Sequence, residues 1–490
     1  MSARLVPLLA LLVACATEPT APPTDRPGPG LAPPGGPPVA PRGAPMPGHA
    51  AFRATPTFDL LPVPPVEQRS IVLVSLDTVR ADRLGAYGGR AETPSLTAMA
   101  ARGARFDQAV THFPETCLSH WAMHSGVPPE AHGDAPAVSG STYSGPTLAE
   151  IAQRSGYATA AFIGGVTLTD ASCGMARGFD RYDDRFRVDR ADMKRPGREV
   201  TQRAVAWMGQ QQGPYFAFLH YFDAHFPYTP SPPWDTRYDP DYQGSLTGSD
   251  RDLRPYRDGD QTPTAADLAH VLALYDGELS ELDALLRPVL DAAGPDALVL
   301  VTADHGESFD HDYWFNHRDA LWEGVLRVPW ILQGPGVPAG AVFPQQLGLI
   351  DTTPTLLELA GLPRDRRMVG RSVAPLLRGE ALADRPVYAT TDPNRPGSQR
   401  AVRTPTQKRL SGPYGTFVYD LDADPAESQP QPAVGTFDAA WAPHAATLEA
   451  LSAHQVAAPP PRVPSADEDA RLQALGYRDP APRGAPPPGP

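Results

Sequence analysis

Two apolar runs constrain this chain more than any other feature. Ile71–Leu76 is almost continuously aliphatic and stops at Asp77, and Ala297–Thr302 is a second such run that leads into Ala303, Asp304, His305 and Gly306. Short apolar runs without polar alternation suit strands buried on both faces, as in parallel sheets covered by helices. Such sheets bind ligands beyond the carboxyl ends of their strands. Two strands that both end in acidic residues therefore direct those acids to one edge, and a site is expected there.

The intervening segments extend the pattern. Pro94–Arg102 reads as a helix with proline in its first turn, closed by Gly103. Thr147–Ser155 reads as another, followed by a strand over Tyr157–Ile163. Val200–Gln210 is expected to be helical, Tyr215–Tyr221 a strand, and Ala265–Leu290 a long helix with a break near Pro288. This alternation implies an α/β fold, with a mostly parallel central sheet and helices on both faces. After about Arg378 the pattern weakens into short strands and turns. At ~150 residues per domain, the 490 residues allow one large domain and an appendage. The expected boundaries are 66–378 for the large domain and 379–478 for a smaller C-terminal subdomain.

The 60 prolines crowd toward the two ends. Residues 15–65 are expected to be an unfolded linker and 479–490 a tail. At the start, Arg4 precedes the apolar run Leu5–Ala14, which is too short to span a bilayer and reads as a signal peptide over residues 1–14. The run ends in Leu12-Val13-Ala14-Cys15, which resembles the lipobox of bacterial lipoproteins. That resemblance implies export to the bacterial cell envelope, on the periplasmic or outer-membrane face, with a lipid anchor at Cys15. An ordinary signal peptide is the alternative. Only Cys117 and Cys173 remain. In an oxidising compartment they either pair or stay free, and sequence does not decide which. The formal net charge of −14 argues against a nucleic-acid partner, because phosphate backbones need clustered Lys and Arg.

Asp77, Asp304 and His305 are candidate metal ligands, since both strand ends can face one site. Carboxylates with an imidazole suit zinc or manganese better than calcium, which prefers shells made of oxygen alone. The plainer reading of each aspartate is turn formation. Thr116 lies just before Ser119-His120, where a helix is expected to begin. A helix N-terminus favours a tetrahedral anion, and a metal touching the hydroxyl would make it a usable nucleophile. Taken alone, Thr116 also suits an N-terminal cap.

The motifs in order resemble the sulfatase-like branch of the alkaline-phosphatase superfamily. Ser75-Leu76-Asp77-Thr78-Val79-Arg80-Ala81-Asp82 is similar to the opening motif of many bacterial sulfatase-like proteins. Thr93-Pro94-Ser95-Leu96 and Gly103-Ala104-Arg105-Phe106 resemble its first helix and next strand. His225-Phe226-Pro227-Tyr228 resembles the "HxPY" segment, Tyr275-Asp276-Gly277-Glu278 part of the long helix, and Thr302 to Glu307 the "TSDHGE" segment. Leu326 to Pro329, Asp351 to Pro363, Gly370-Arg371-Ser372 and Leu475-Gly476-Tyr477 follow in family order. The resemblance covers about residues 70–478.

The resemblance implies an enzyme that displaces ester groups at a sulfur or phosphorus centre. Its substrates would be small-molecule, glycan or lipid esters. Asp77, Asp304 and His305 would hold a divalent metal together with Thr116, which falls at the nucleophile position. Zinc or manganese is favoured for that metal, with calcium possible. His120, His225 and His317 would lie near the substrate oxyanion and leaving group, any of them able to serve as general acid. Sulfatases proper carry Cys-x-Pro-Ser-Arg, whose cysteine becomes formylglycine. Here the stretch is Thr116-Cys117-Leu118-Ser119-His120, with the cysteine one place late. Threonine at that position resembles the phosphodiesterase and phosphoethanolamine-transferase branches. Phosphate esters or diesters are therefore expected ahead of sulfate esters. A phosphoryl transferase and a catalytically inactive binding homologue are the alternatives. Thr78 replaces a second acidic ligand, and Arg318 follows His317 where glycine is usual, which leaves the metal count open.

Overall fold

The computed structural model describes residues 52–63, 67–133, 140–186, 194–413, 415–433 and 435–456. The signal peptide, Cys15, most of the expected linker, Leu475-Gly476-Tyr477 and the tail lie outside the described residues. Among the described residues a nine-stranded sheet forms the centre. The run Ile71–Leu76 is a strand within that sheet, with all six residues buried. Its neighbours are Tyr215–Tyr221 and Leu298–Thr302, both parallel to it. Beyond Tyr215–Tyr221 lie Ala158–Ile163 and Arg181–Asp183, again parallel. On the other side Trp330–Gln333 runs antiparallel to Leu298–Thr302 and to Ala104–Val110. Ala341–Gly348 then pairs parallel with Ala104–Val110.

Register makes the carboxyl edge a site. Ser75 lies opposite both His220 and Thr302. The three central strands therefore end almost level. Residues just beyond those ends, Asp77, Asp304 and His305, share one edge with His220.

Helices cover the sheet much as the apolar periodicity predicts. Pro94–Arg102 has the expected bounds, with Gly103 at its C-terminal end. The expected break near Pro288 is absent: the helix runs from Ala265 to Ala293. Proline removes one N–H and leaves the carbonyl four residues back without its partner. Here Pro288 and Ala284 are both exposed, so that carbonyl meets water, while Leu286, Val289 and Leu290 anchor the same turns in the core. Gly306 serves a close approach beside the site. A Cβ there would collide with the Gly324 carbonyl oxygen, and Gly306 N donates to Val325 O at 2.7 Å.

The linker expected to reach residue 65 ends sooner. Phe52–Arg53 pairs with Gly140–Ser141. Asp59 N donates to Asp365 Oδ2 and Leu61 N to Arg364 O, each at 2.8 Å. Docking through backbone groups leaves no trace in hydrophobic content, which is why composition misplaces this boundary.

The C-terminal region holds a five-stranded antiparallel sheet from Val387 to Pro432, followed by the helix Phe437–Ser452. Buried charges join it to the large domain. Lys408, fully buried, bonds Glu427 at 2.5 Å and the Leu321 carbonyl at 2.6 Å, and Arg403 pairs with Glu323 at 2.8 Å. These contacts fix the loop that follows His317.

A second buried pair braces the helix Thr116–Ser125. Glu150 accepts from Arg177 Nε and Nη2, both at 2.9 Å, and also closes the capping box of Leu148–Arg154. Arg177 lies 5.4 Å from the Trp121 ring on that helix. Glu150→Ala should lower stability by about 3–5 kcal/mol, because it strands a buried guanidinium. Denaturant melts of the variant test this, and an unchanged midpoint would show that the pair is dispensable.

Candidate active site

Thr116 is the first residue of the helix Thr116–Ser125, and the N-cap residue is Glu115. The threonine hydroxyl donates to Asp77 Oδ2 at 3.2 Å. His220 Nε2 lies 3.0 Å from the same oxygen, so Asp77 Oδ1 is left buried without a hydrogen-bond partner. Asp304 Oδ1 accepts from the amides of Thr78 and His305 at 3.3 and 2.9 Å. Its Oδ2 has no hydrogen-bond partner. Thr78 reaches Asp304 from a left-handed backbone, φ 58°, unusual for a β-branched residue. Tyr275 secures this strained turn by donating to Thr78 O at 2.7 Å.

His305 Nδ1 faces the Gly306 carbonyl at 3.0 Å and must carry the proton there. That arrangement leaves Nε2, which is buried without a hydrogen-bond partner, as the nitrogen that could ligate a metal. Ligand atoms of Asp77, Asp304 and His305 lie within 4.8 Å of one another. The donor set of two carboxylates, one imidazole and a hydroxyl fits a divalent cation of the zinc or manganese kind. His120, His220 and Asp304 make a second grouping of the same size among the described residues. There both nitrogens of His120 and Nε2 of His220 are already used within the protein, so the first grouping is the better cation site.

Electrostatics support the same fit. Burial pushes the Asp77 carboxyl up to about 7. Burial and then Asp77 raise Asp304 as well. His305 is shifted up despite burial, because Asp304 and Asp77 favour its cation. Two buried carboxylates facing each other favour positive charge between them, which a divalent cation would supply.

The expected histidines separate into two groups. His120 Nδ1 lies 2.6 Å from Thr116 O and Nε2 lies 2.9 Å from Ser75 Oγ, so both nitrogens are engaged beneath the site. The expectation that His120 faces a leaving group does not fit this placement, since its ring ties the helix Thr116–Ser125 to the central strand and both its nitrogens are engaged there. His225 and His317 lie together on the other side, with ring centroids 5.4 Å apart, and the His317 ring lies tilted 4.2 Å from that of His305. His225 Nδ1 bonds the Phe226 carbonyl at 2.9 Å, and its Nε2 has no hydrogen-bond partner. His317 Nδ1 bonds Glu307 Oε1 at 3.1 Å, and Tyr228 donates to the other oxygen at 2.9 Å. Burial holds both imidazoles well below their usual range.

Sequence reasoning missed His220 and Glu307. His220 is the lone imidazole in the otherwise apolar and aromatic strand Tyr215–Tyr221, a signal that could have marked it. Cys117 and Cys173 form a disulfide with a Cα separation of 5.6 Å. Cys117 is therefore neither a thiolate nor a precursor of formylglycine in this state.

Residues 69–362 match the family described as Sulfatase. The chain belongs to the sulfatase family. Arylsulfatase K of Rattus norvegicus is 27% identical over 183 residues, 34% of this chain and 32% of that protein. Arylsulfatase D of Homo sapiens is 35% identical over 126 residues, 22% of this chain and 21% of that protein. The chain thus spans about a third or less of these relatives' length. A 2-O GAG sulfatase structure superposes with a TM-score of 0.60 at 20% identity, covering 84% of this chain and 93% of that one. The phosphonate monoester hydrolase of Agrobacterium radiobacter gives 0.62 at 20% identity, covering 79% and 96%. At these identities the two structures share the fold, a mixed α/β architecture with a mostly parallel sheet.

Three outcomes are expected of this member of the family. Asp304→Ala and His305→Ala should each lower bound metal, read by elemental analysis, and unchanged stoichiometry in both would remove them as ligands. Cation affinity should rise with pH through about 7, because Asp77 and His305 must shed protons to ligate. Manganese titration at pH 6 and pH 8 should show weaker binding at the lower pH, by about tenfold per unit for each proton displaced. Equal affinities would contradict that proton linkage. Non-reducing digestion should recover Cys117 and Cys173 in one linked pair, and two separately alkylated peptides would contradict it.

Proposed function

We propose that this chain is a metal-dependent hydrolase acting at tetrahedral phosphorus, on phosphate esters or diesters, with Thr116 as the nucleophile. The observation that carries this reading is the Thr116 hydroxyl, held on Asp77 at the first position of a buried helix beside three unpartnered ligand atoms. The disulfide at Cys117 further favours phosphorus over sulfate, since sulfatase chemistry in the family uses formylglycine.

A divalent cation held by Asp77, Asp304, His305 and the Thr116 hydroxyl would supply Lewis-acid charge that lowers the hydroxyl's pKa and offsets the ester's negative oxygens. Thr116 Oγ1 passes its proton to Asp77 Oδ2, which already accepts its hydrogen bond, and attacks phosphorus in line as the bond to the leaving oxygen breaks. The helix N-terminus directs amides at the same anion. Arrival of the anionic ester favours protonation of His225 and His317, from which the leaving oxygen takes its proton. Water then attacks the phosphothreonine and frees Thr116. His120 and His220 position the threonine and Asp77. Sulfate esters share the tetrahedral geometry and are the second substrate class tested.

Export with a lipid anchor at Cys15 is part of the proposal, and the disulfide supports an oxidising compartment. Cys15→Ser should release the protein from membranes, and a wild-type chain without lipid by mass spectrometry would contradict the anchor.

Thr116→Ala should reduce turnover by on the order of 10³-fold or more while leaving the fold intact, whereas Cys117→Ala should keep substantial activity. Acid-quenched enzyme digested and mapped by mass spectrometry should carry phosphate on Thr116. An adduct on Ser119 or Cys117 would overturn the assignment.

A further inference from the structure

The segment Tyr275-Asp276-Gly277-Glu278 takes no part in the chemistry above, yet all four residues are buried on one turn of the long helix Ala265–Ala293. Each grips a segment that leads to or from the site. Asp276 accepts from Arg83 Nε at 2.9 Å, and Glu278 accepts from the Thr229 amide at 2.8 Å. A Cβ on Gly277 would lie 2.6 Å from the Trp234 carbonyl oxygen, so the chain beyond Tyr228 crosses the helix there. Tyr275 comes nearest the metal ligands. Its hydroxyl donates to Thr78 O at 2.7 Å and accepts from Arg80 N at 3.0 Å. One phenol thus bridges two backbone groups of the turn after Asp77.

That turn is held in a costly shape. Thr78 has φ 58°, a conformation disfavoured for a β-branched side chain. In this shape Thr78 N points at Asp304 Oδ1, 3.3 Å away, while Thr78 Oγ1 donates to Asp77 O at 2.7 Å. Asp304 Oδ2 is left as the oxygen without a hydrogen-bond partner. Relaxation of Thr78 to negative φ would rotate its amide off Asp304 and leave the carboxylate held by the His305 amide alone. The ring of Tyr275 does something else. It packs on Tyr228 and Phe309, with centroids 5.6 and 4.9 Å away. Tyr275→Phe separates the two roles, since it keeps the ring and removes the hydroxyl.

We propose that Tyr275 is a positioning residue for the metal ligands: its hydroxyl holds Thr78 left-handed, and Thr78 in turn fixes Asp77 and Asp304 for the cation. This rests on the metal site of the proposed hydrolase. In Thr78→Gly the backbone takes positive φ without the steric penalty, so the hydroxyl has little strain left to oppose.

The test is manganese titration by calorimetry at pH 8 on the full chain. Tyr275→Phe should weaken binding by on the order of tenfold relative to the wild type. In the Thr78→Gly background the same substitution should cost less than about threefold. A general loosening of the fold would cost the same factor in both backgrounds. Equal factors, or an unchanged affinity in Tyr275→Phe, would therefore overturn the inference and leave the metal site standing. A wild type that binds no manganese would overturn the metal site and the inference together. If Tyr275→Phe does not fold, the double variant Thr78→Gly/Tyr275→Phe decides. It should fold and bind manganese within about threefold of Thr78→Gly. A double variant that binds much more weakly would overturn the inference. So would one that does not fold, by making the hydroxyl a requirement of the fold rather than of the ligands.

Discussion

Everything in this molecule depends on two carboxylates brought face to face at the buried edge of a parallel sheet. Asp77 and Asp304 end neighbouring strands whose register sets them side by side. Neither can move away, because the strands behind them are core on both faces. Each keeps one oxygen hydrogen-bonded within the protein and one that is not. Water is excluded, so their repulsion is not screened. This arrangement suits a cation, and His305 and Thr116 would complete its shell.

The surrounding structure reads as support for that edge. His120 joins the helix Thr116–Ser125 to Ser75, Ser119 donates to Asp304 O at 2.7 Å, and Cys117 ties the helix to Cys173. Thr116 is thus held from several directions. On the opposite side Tyr228 and Glu307 orient His317, and the buried Lys408, Arg403, Glu323 and Glu427 hold the loop beyond it. The small subdomain therefore bears on the site through a loop rather than through a domain of its own.

Much of this was legible in the sequence because strands buried on both faces are written as unbroken apolar runs. Ile71–Leu76 and Tyr215–Tyr221 were readable to the residue, and the acids after the first run and after Leu298–Thr302 marked the site edge. Less legible was anything set by register or side-chain direction. His220 counts as a site residue only because it lies opposite Ser75. His120 follows Thr116 by one turn and so meets the strand below it, at Ser75, a consequence of helical spacing rather than of motif. Pro288 would break an isolated helix, and packing overrides that tendency.

The central claim is that one divalent cation joins the three sequence-distant ligands to the threonine hydroxyl. Crystals of the metal-loaded protein, measured at the absorption edge of zinc or manganese, test it most directly. The account predicts an anomalous peak at about 2.0–2.2 Å from oxygens of Asp77 and Asp304, Nε2 of His305 and Oγ1 of Thr116. A peak bound only by other residues, or one that leaves Thr116 out of reach, would contradict it.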